Sequence, residues 1–164
     1  MALEIERKYL VNLDTLTATQ GELSDGTAIK QAYIATADNT VVRIRVAGTK
    51  AFITLKGENN GLTRTEFEYP IPLTDAEEMI EQLCLGPIID KTRYLIPIAG
   101  HTWELDIFHG DNLGLVVAEI ELSCEDEAFE RPDWVTREVS HESRYYNSSL
   151  IDKPYSTWSA TQKS

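Results

Sequence analysis

Like charges recur two positions apart along this chain: Glu4 and Glu6, Arg43 and Arg45, Glu66 and Glu68, Lys91 and Arg93, Glu104 and Asp106, Glu119 and Glu121. In an extended strand, positions two apart project from the same face. Each pair is therefore a like-charged stripe, and the flanking positions carry mostly apolar residues such as Ile5, Ile44, Phe67, Leu105 and Ile120. A sheet assembled from such segments has an apolar face that must be covered and a charged face that must be neutralised. No helical fold accommodates that pattern.

The alternation delimits strands at about residues 3–11, 27–36, 40–47, 50–57, 62–71, 88–97, 101–109 and 114–123. Turn signals separate most of them, among them Asp38-Asn39, Gly48, Asn59-Asn60-Gly61, Gly100 and Gly110-Asp111-Asn112. A ninth short strand is expected through Trp134–Ser140. Thr74-Asp75-Ala76-Glu77 has the form of a capping box, and Met79, Ile80 and Leu83 follow at helical spacing. This predicts a helix over Thr74–Leu85, ending before Gly86-Pro87 and burying Cys84. A second helix is predicted over residues 143–151, and residues 125–130 fit no single element. Mostly adjacent short strands point to an antiparallel barrel or sandwich, in one domain spanning residues 1–164.

A hydrophobic fraction of 42% suffices for a packed core, and the net charge is −12. So acidic a surface repels nucleic acid and anionic membranes, and neither is expected as a partner. Residues 1–11 already carry Glu4, Glu6, Arg7 and Lys8, which does not fit a secretory signal, and no apolar run is long enough to span a bilayer. Cys84 and Cys124 have no metal-ligand spacing and are expected as reduced thiols of a cytoplasmic protein.

The signs of the stripes are sorted. Basic pairs fall on the third and sixth strands and acidic pairs on the seventh and eighth, whereas an ordinary solvated face intersperses its charges. A polyanion on the cations and divalent metal on the carboxylates would account for the sorting. If the sheet closes with its apolar face outward, the lumen receives seven cations: Lys8, Arg43, Arg45, Lys56, Arg64, Lys91 and Arg93. The plain alternative, a two-layer sheet with a solvated charged face, stays open at this point.

These residues carry a resemblance. Glu4-x-Glu6-x-Lys8 resembles the N-terminal signature of the CYTH domain, or triphosphate tunnel metalloenzymes. Further matching segments follow in the family's order: Gln31-Ala32-Tyr33, Arg43-Ile44-Arg45, Thr54-Leu55-Lys56, Arg64-Thr65-Glu66-Phe67-Glu68, Lys91-Thr92-Arg93-Tyr94, Glu104-Leu105-Asp106 and Glu119-Ile120-Glu121. Glu138-Val139 with Arg144-Tyr145-Tyr146-Asn147 resembles the closing segment of the short bacterial members, although some relatives carry lysine where this chain has Tyr146. The resemblance implies a mainly β fold with an eight-stranded antiparallel tunnel and a few short helices, one closing the tunnel near the C-terminus.

It also implies roles. Glu4, Glu6, Asp106, Glu119 and Glu121 are the expected ligands of magnesium or manganese, as a pair of ions. Glu66 and Glu68 could join them or pair with neighbouring arginines. Glu104, nearer the rim, is left out of the metal set. Lys8, Arg43, Arg45, Lys56, Arg64, Lys91 and Arg93 are expected on phosphate oxygens, with Arg64 open to a purely ion-pairing role. Lys8 and Tyr33 are the catalytic candidates: a lysine among cations should find its ammonium form less favourable, which would suit proton transfer. Activation of water by a metal is the preferred account, leaving Tyr33 to position. His101, His109 and His141 are not expected as ligands, and Trp103, Trp134 and Trp158 are read as packing residues.

The activity implied is hydrolysis of a triphosphate, foremost inorganic tripolyphosphate to pyrophosphate and phosphate, by a monomer or homodimer. Alternatives in the same fold are a class IV adenylyl cyclase-like lyase, a thiamine or nucleoside triphosphatase, and a non-catalytic polyphosphate-binding protein.

Overall fold

The two ends of the sheet meet. The structure, a computed structural model, describes residues 3–163, except the side chain of Leu85. Its strands are β1 (Leu3–Val11), β2 (Thr27–Ile34), β3 (Val41–Ala47), β4 (Lys50–Lys56), β5 (Thr63–Ile71), β6 (Leu85–Ile98), β7 (His101–Phe108), β8 (Val116–Glu121) and β9 (Val135–Glu138). They hydrogen-bond in the order β5-β4-β3-β2-β6-β7-β8-β1-β9, every pairing antiparallel. The start of β1 also pairs with β5, Leu3 opposite Thr65 and Ile5 opposite Thr63, which closes β1–β8 into an eight-stranded barrel. Farther along, β1 pairs with β8 through Glu6–Leu10 and takes β9 as an additional strand.

Local chemistry sets the corners. β6 and β7 are joined by Ala99-Gly100 alone, both at positive φ (49° and 86°), as a two-residue hairpin with matching twist requires. β6 is longer than predicted because it starts before Gly86-Pro87. The register to β2 shifts there, with Gln31 opposite Ile89 but Tyr33 opposite Leu85. A bulge tolerates a proline without an N–H and a glycine at φ 76°.

The apolar faces point outward and are covered in two places. α2 (Leu73–Leu83) lays Ala76, Met79 and Ile80 against Ile44, Ala51, Val46 and Ile53. α1 (Leu13–Gln20) and the segment through Phe129 and Trp134 cover Tyr9, Trp103, Leu105 and Ile120. Trp103 and Trp134 meet edge to face with centroids 5.8 Å apart.

A third cluster lies inside the barrel at one end. Ile89, Phe108 and Val117 stand two positions from Lys91, Asp106 and Glu119, so they share the inward face. They pack on Tyr145, Leu150 and Trp158 of the C-terminal segment. The helix predicted over 143–151 is there in two pieces, a 3-10 turn at Ser143–Tyr145 and α3 (Asn147–Asp152), separated by extended Tyr146. A further 3-10 turn (Tyr155–Thr157) and α4 (Ala160–Lys163) follow. One end of the barrel is thus stoppered.

Other expectations are corrected. α1 was not predicted; Asn12 caps it by accepting a 3.0 Å hydrogen bond from the Thr15 amide. The Thr74 box does not start α2, which begins at Leu73 after Pro72 with no side-chain cap, and Cys84 ends the helix rather than lying within it. Residues 125–130 form no regular element, and no helix among the described residues is long and apolar enough to cross a membrane.

Candidate active site

The lumen beyond the stopper is a cavity of about 320 Å³. Into it project Glu4, Glu6 and Lys8 of β1, Tyr33 of β2, Arg43 and Arg45 of β3, Lys56 of β4 and Arg64, Glu66 and Glu68 of β5. Lys91 and Arg93 of β6, Glu104 of β7, and Glu119 and Glu121 of β8 complete the charged wall. Strand order now explains the sorting. The contiguous arc β4-β3-β2-β6 carries Lys56, Arg43, Arg45, Lys91 and Arg93 and no lining acid. The complementary arc β7-β8-β1-β5 carries all seven lining glutamates, with Lys8 and Arg64 as the only lining cations.

Ion pairs concentrate where the arcs meet. At the β6–β7 seam Arg93 forks onto Asp106, Nε to Oδ1 at 2.8 Å and Nη2 to Oδ2 at 2.9 Å, and its Nη1 lies 2.6 Å from Glu104. Lys91 Nζ is 2.8 Å from Asp106 Oδ2 and donates to Asn147 Oδ1 at 3.0 Å. At the β4–β5 seam Lys56 Nζ lies 3.2 Å from Glu4 and 3.1 Å from Glu66. Arg43 Nη2 reaches Glu68 at 3.3 Å, and Thr54 bridges the two.

Midway along the basic arc the pairing runs out. Among the described residues Arg45 has no carboxylate partner; its Nε donates to Gln31 Oε1 at 3.0 Å. Burial, then Arg43 and Arg93, push its pKa down to about 10, so it keeps its charge without an ion-pair partner among the described residues. Arg64 likewise donates to the Gly57 carbonyl rather than to Glu66 or Glu68. Lys91 is pushed down to about 7, chiefly by burial; Asp106 opposes the shift, but Arg93 and Arg45 add to it.

On the acidic arc, carboxylates abut in pairs. Glu6 lies against Glu119 and Glu4 against Glu66, so in each pair the ionisation of one acid disfavours that of the other. Burial, followed by the charges of Glu119 and Glu4, raises Glu6 well above the usual carboxylate range. Burial alone would also raise Glu119, but Lys8 and the hydrogen bond from Glu6 outweigh it and hold Glu119 well below that range. Glu66 Oε2 is buried without a hydrogen bond, although Lys56 Nζ is 3.1 Å away. Hard-oxygen donors crowded in this way suit a divalent cation, whose charge offsets their mutual repulsion. Among the described residues no three carboxylates converge on one point. Two-carboxylate pairs fit magnesium, which keeps several waters and binds through one or two protein oxygens beside substrate phosphate.

Three site residues are placed differently from expectation. Asp106 is fully buried with both oxygens engaged by Arg93 and Lys91, and it does not line the cavity. Glu104, set aside as a rim residue, does line it. Lys8 sits among carboxylates rather than cations: burial would lower its pKa, but Glu119 and Glu6 raise it above the ordinary lysine value. Its ammonium donates to the Tyr145 carbonyl at 3.1 Å, while the Tyr33 hydroxyl is bonded by Gln31, so no direct Lys8–Tyr33 bond forms. The lysine among cations is Lys91. Ser140, Tyr146, Asn147 and Gln31 also belong to the site and carried no signal in the charge pattern.

A family model for the CYTH domain matches residues 2–155. The chain belongs to the CYTH family. This CYTH protein is 44% identical over 155 residues to the inorganic triphosphatase of Acetivibrio thermocellus, covering 94% of this chain and 97% of the relative. It is 39% identical over 151 residues to the inorganic triphosphatase of Nitrosomonas europaea, covering 90% and 95%. A crystal structure of an inorganic triphosphatase superposes with a TM-score of 0.61 at 34% identity, covering 92% of this chain and 95% of that one. The barrel fold of this CYTH protein is therefore shared with that solved triphosphatase structure.

Proposed function

We propose that this CYTH protein is a magnesium- or manganese-dependent inorganic triphosphatase, converting tripolyphosphate and water to pyrophosphate and phosphate. The observation that carries the reading is the division of one stoppered cavity into a basic and an acidic arc, with Arg45 and Arg64 lacking carboxylate partners among the described residues. A compact polyanion supplies what those cations lack. Charged groups face the cavity from nearly every strand, which suits a ligand that is phosphate throughout more than one with a nucleobase.

Arg43, Arg45, Lys56, Arg64, Lys91 and Arg93 bind and orient the phosphates, arginine by its fork and lysine as a point charge. Held in place before the reaction, they stabilise charge that builds on the departing pyrophosphate. Glu4, Glu6, Glu119 and Glu121 would hold the divalent cations, with Glu66 and Glu68 at the seam. Bound there, magnesium or manganese supplies charge neutralisation and a more acidic coordinated water. Lys8 contributes positive charge on the acidic side. Asp106 acts as the internal counter-ion that fixes Lys91 and Arg93.

The test is turnover of tripolyphosphate, ATP and thiamine triphosphate by the purified chain with magnesium or manganese, followed by assay for phosphate and for cyclic AMP. Phosphate release fastest from tripolyphosphate is expected. Cyclic AMP from ATP, or binding of tripolyphosphate without turnover, would overturn the proposal.

A further inference from the structure

Gln31 is fully buried on the inward face of β2, and both ends of its amide are engaged. Arg45 Nε lies 3.0 Å from one end and the Tyr33 hydroxyl 2.8 Å from the other. Arginine Nε can only donate, so the amide atom facing it is the oxygen. The –NH₂ group therefore faces Tyr33, and the Tyr33 oxygen accepts. A phenol that accepts from Gln31 must direct its own proton elsewhere, and Tyr33 lines the lumen. The same contact uses up Arg45 Nε, and among the described residues both terminal nitrogens of that guanidinium are left available.

We infer that Gln31 is a positioning residue that fixes the proton of Tyr33 toward the lumen, making Tyr33 a hydrogen-bond donor to a phosphate oxygen beside Arg45. This rests on the triphosphate reading of the cavity and deepens it. Strand register supports the arrangement: Gln31 is directly opposite Arg45 and Tyr33 directly opposite Arg43, so the amide, the phenol and two guanidiniums form one patch. No other side chain of this length offers one acceptor and one donor group without charge. Glutamate would keep the bond to Arg45, but its carboxylate can only accept from Tyr33, which turns the phenol proton away from the lumen.

The experiment compares the wild type with Gln31→Glu, Tyr33→Phe and the double variant, by kcat/KM on tripolyphosphate with magnesium and by ultraviolet resonance Raman. The Raman difference between wild type and Tyr33→Phe isolates Tyr33, and its Fermi-doublet ratio reports whether the phenol chiefly donates or accepts. Tyr33→Phe should lose about 10- to 100-fold in kcat/KM, the scale of one hydrogen bond to a charged group. Gln31→Glu should lose at least as much, since it also gives Arg45 a carboxylate partner, and Tyr33→Phe should cost nothing further in the Gln31→Glu background. In Raman, Gln31→Glu should move Tyr33 to the strong-donor end.

Gln31→Glu within about twofold of wild type, or a Tyr33→Phe loss as large in the Gln31→Glu background as in the wild type, would overturn the inference. So would a wild-type Tyr33 already at the strong-donor end in the ligand-free protein; that measurement stands even if Gln31→Glu does not fold. A wild-type chain inert on tripolyphosphate would sink the proposed function, while the Raman signature would still decide the direction of the proton.

Discussion

Lys91 Nζ lies 2.8 Å from Asp106 Oδ2 with both side chains buried, yet it is the lysine that loses its charge near neutral pH. Asp106 stays ionised, because Lys91 and Arg93 outweigh the effect of burial on it. Arg93 already satisfies Asp106 from two nitrogens, which makes Lys91 the surplus cation of the basic arc.

The first prediction follows from that surplus. An unfolded lysine keeps its proton to about pH 10.4, whereas Lys91 keeps its own only to about 7. Between those values the unfolded chain binds more protons, so this group makes stability rise with pH across that window. A bound polyanion favours the protonated lysine and works in the opposite sense. Tripolyphosphate binding at about pH 8, with chelator present to prevent turnover, should take up a proton. Calorimetry in buffers of different ionisation enthalpy would show it, and Lys91→Met should abolish it. A binding enthalpy independent of buffer in the wild type would mean that Lys91 is already charged.

The second prediction separates ligand binding from scaffold. Arg45→Ala removes a cation that has no carboxylate partner among the described residues, so it strands no acid. It should cut kcat/KM on tripolyphosphate about 100-fold, or about 3 kcal/mol, and leave Tm within a few degrees of wild type. Arg93→Ala instead takes the two-nitrogen fork from buried Asp106, leaving it Lys91 alone, and removes the partner of Glu104; it should destabilise the fold by about 3–5 kcal/mol. Equal Tm losses in the two variants would mean Arg45 also holds the barrel together.

How far the charge pattern could be read in the sequence is clearest at Asp106. Alternation places Asp106 and Glu104 on the inward face, which the structure bears out, but alternation cannot say what a side chain meets across the sheet. Asp106 is directly opposite Arg93 in the β6–β7 register, and that contact buries it away from the lumen. Lys8 departs from its sequence expectation for the same reason: only strand order, which sets β1 beside β8, shows that its neighbours are Glu119 and Glu6. Gln31 was invisible to a search for charge. α1 has a low-propensity, threonine-rich sequence with Leu16 as its sole buried residue, too little periodicity to reveal it. The barrel, in contrast, was legible because like charges on one strand face demand an enclosed counter-charge.

The third prediction concerns the carboxylate pairs. Glu6→Gln keeps the shape of the Glu6–Glu119 contact and removes the carboxyl whose ionisation beside Glu119 is unfavourable. Without metal its Tm should equal or exceed the wild type, because the repulsion with Glu119 is relieved. The rise in Tm that excess magnesium or manganese gives the wild type by mass action should shrink or vanish, and turnover should fall with it. Full turnover of the wild type in excess chelator would refute metal dependence.

The fourth prediction concerns the stopper. Reading the closing segment as a detachable cap suggests that truncation after Ser140 leaves the barrel folded. The structure argues otherwise. Tyr145, Leu150 and Trp158 pack on Ile89, Phe108 and Val117, which are inward-facing apolar residues that truncation would open to water. Leu150→Ala alone should cost about 2–5 kcal/mol, and the truncated chain should unfold or aggregate. Selectivity is therefore better tested at Tyr146, the residue between the two helical pieces. Its ring lines the cavity and its hydroxyl accepts a 3.1 Å hydrogen bond from Asn59. The ring makes no contribution to the apolar cluster, so Tyr146→Ala should spare the fold while opening the lumen at that end. Larger triphosphates such as ATP should then gain ground on tripolyphosphate in kcat/KM, because a closed end favours the compact ligand and excludes bulk water. An unchanged ratio with an intact Tm would place selectivity in the strands instead of the stopper.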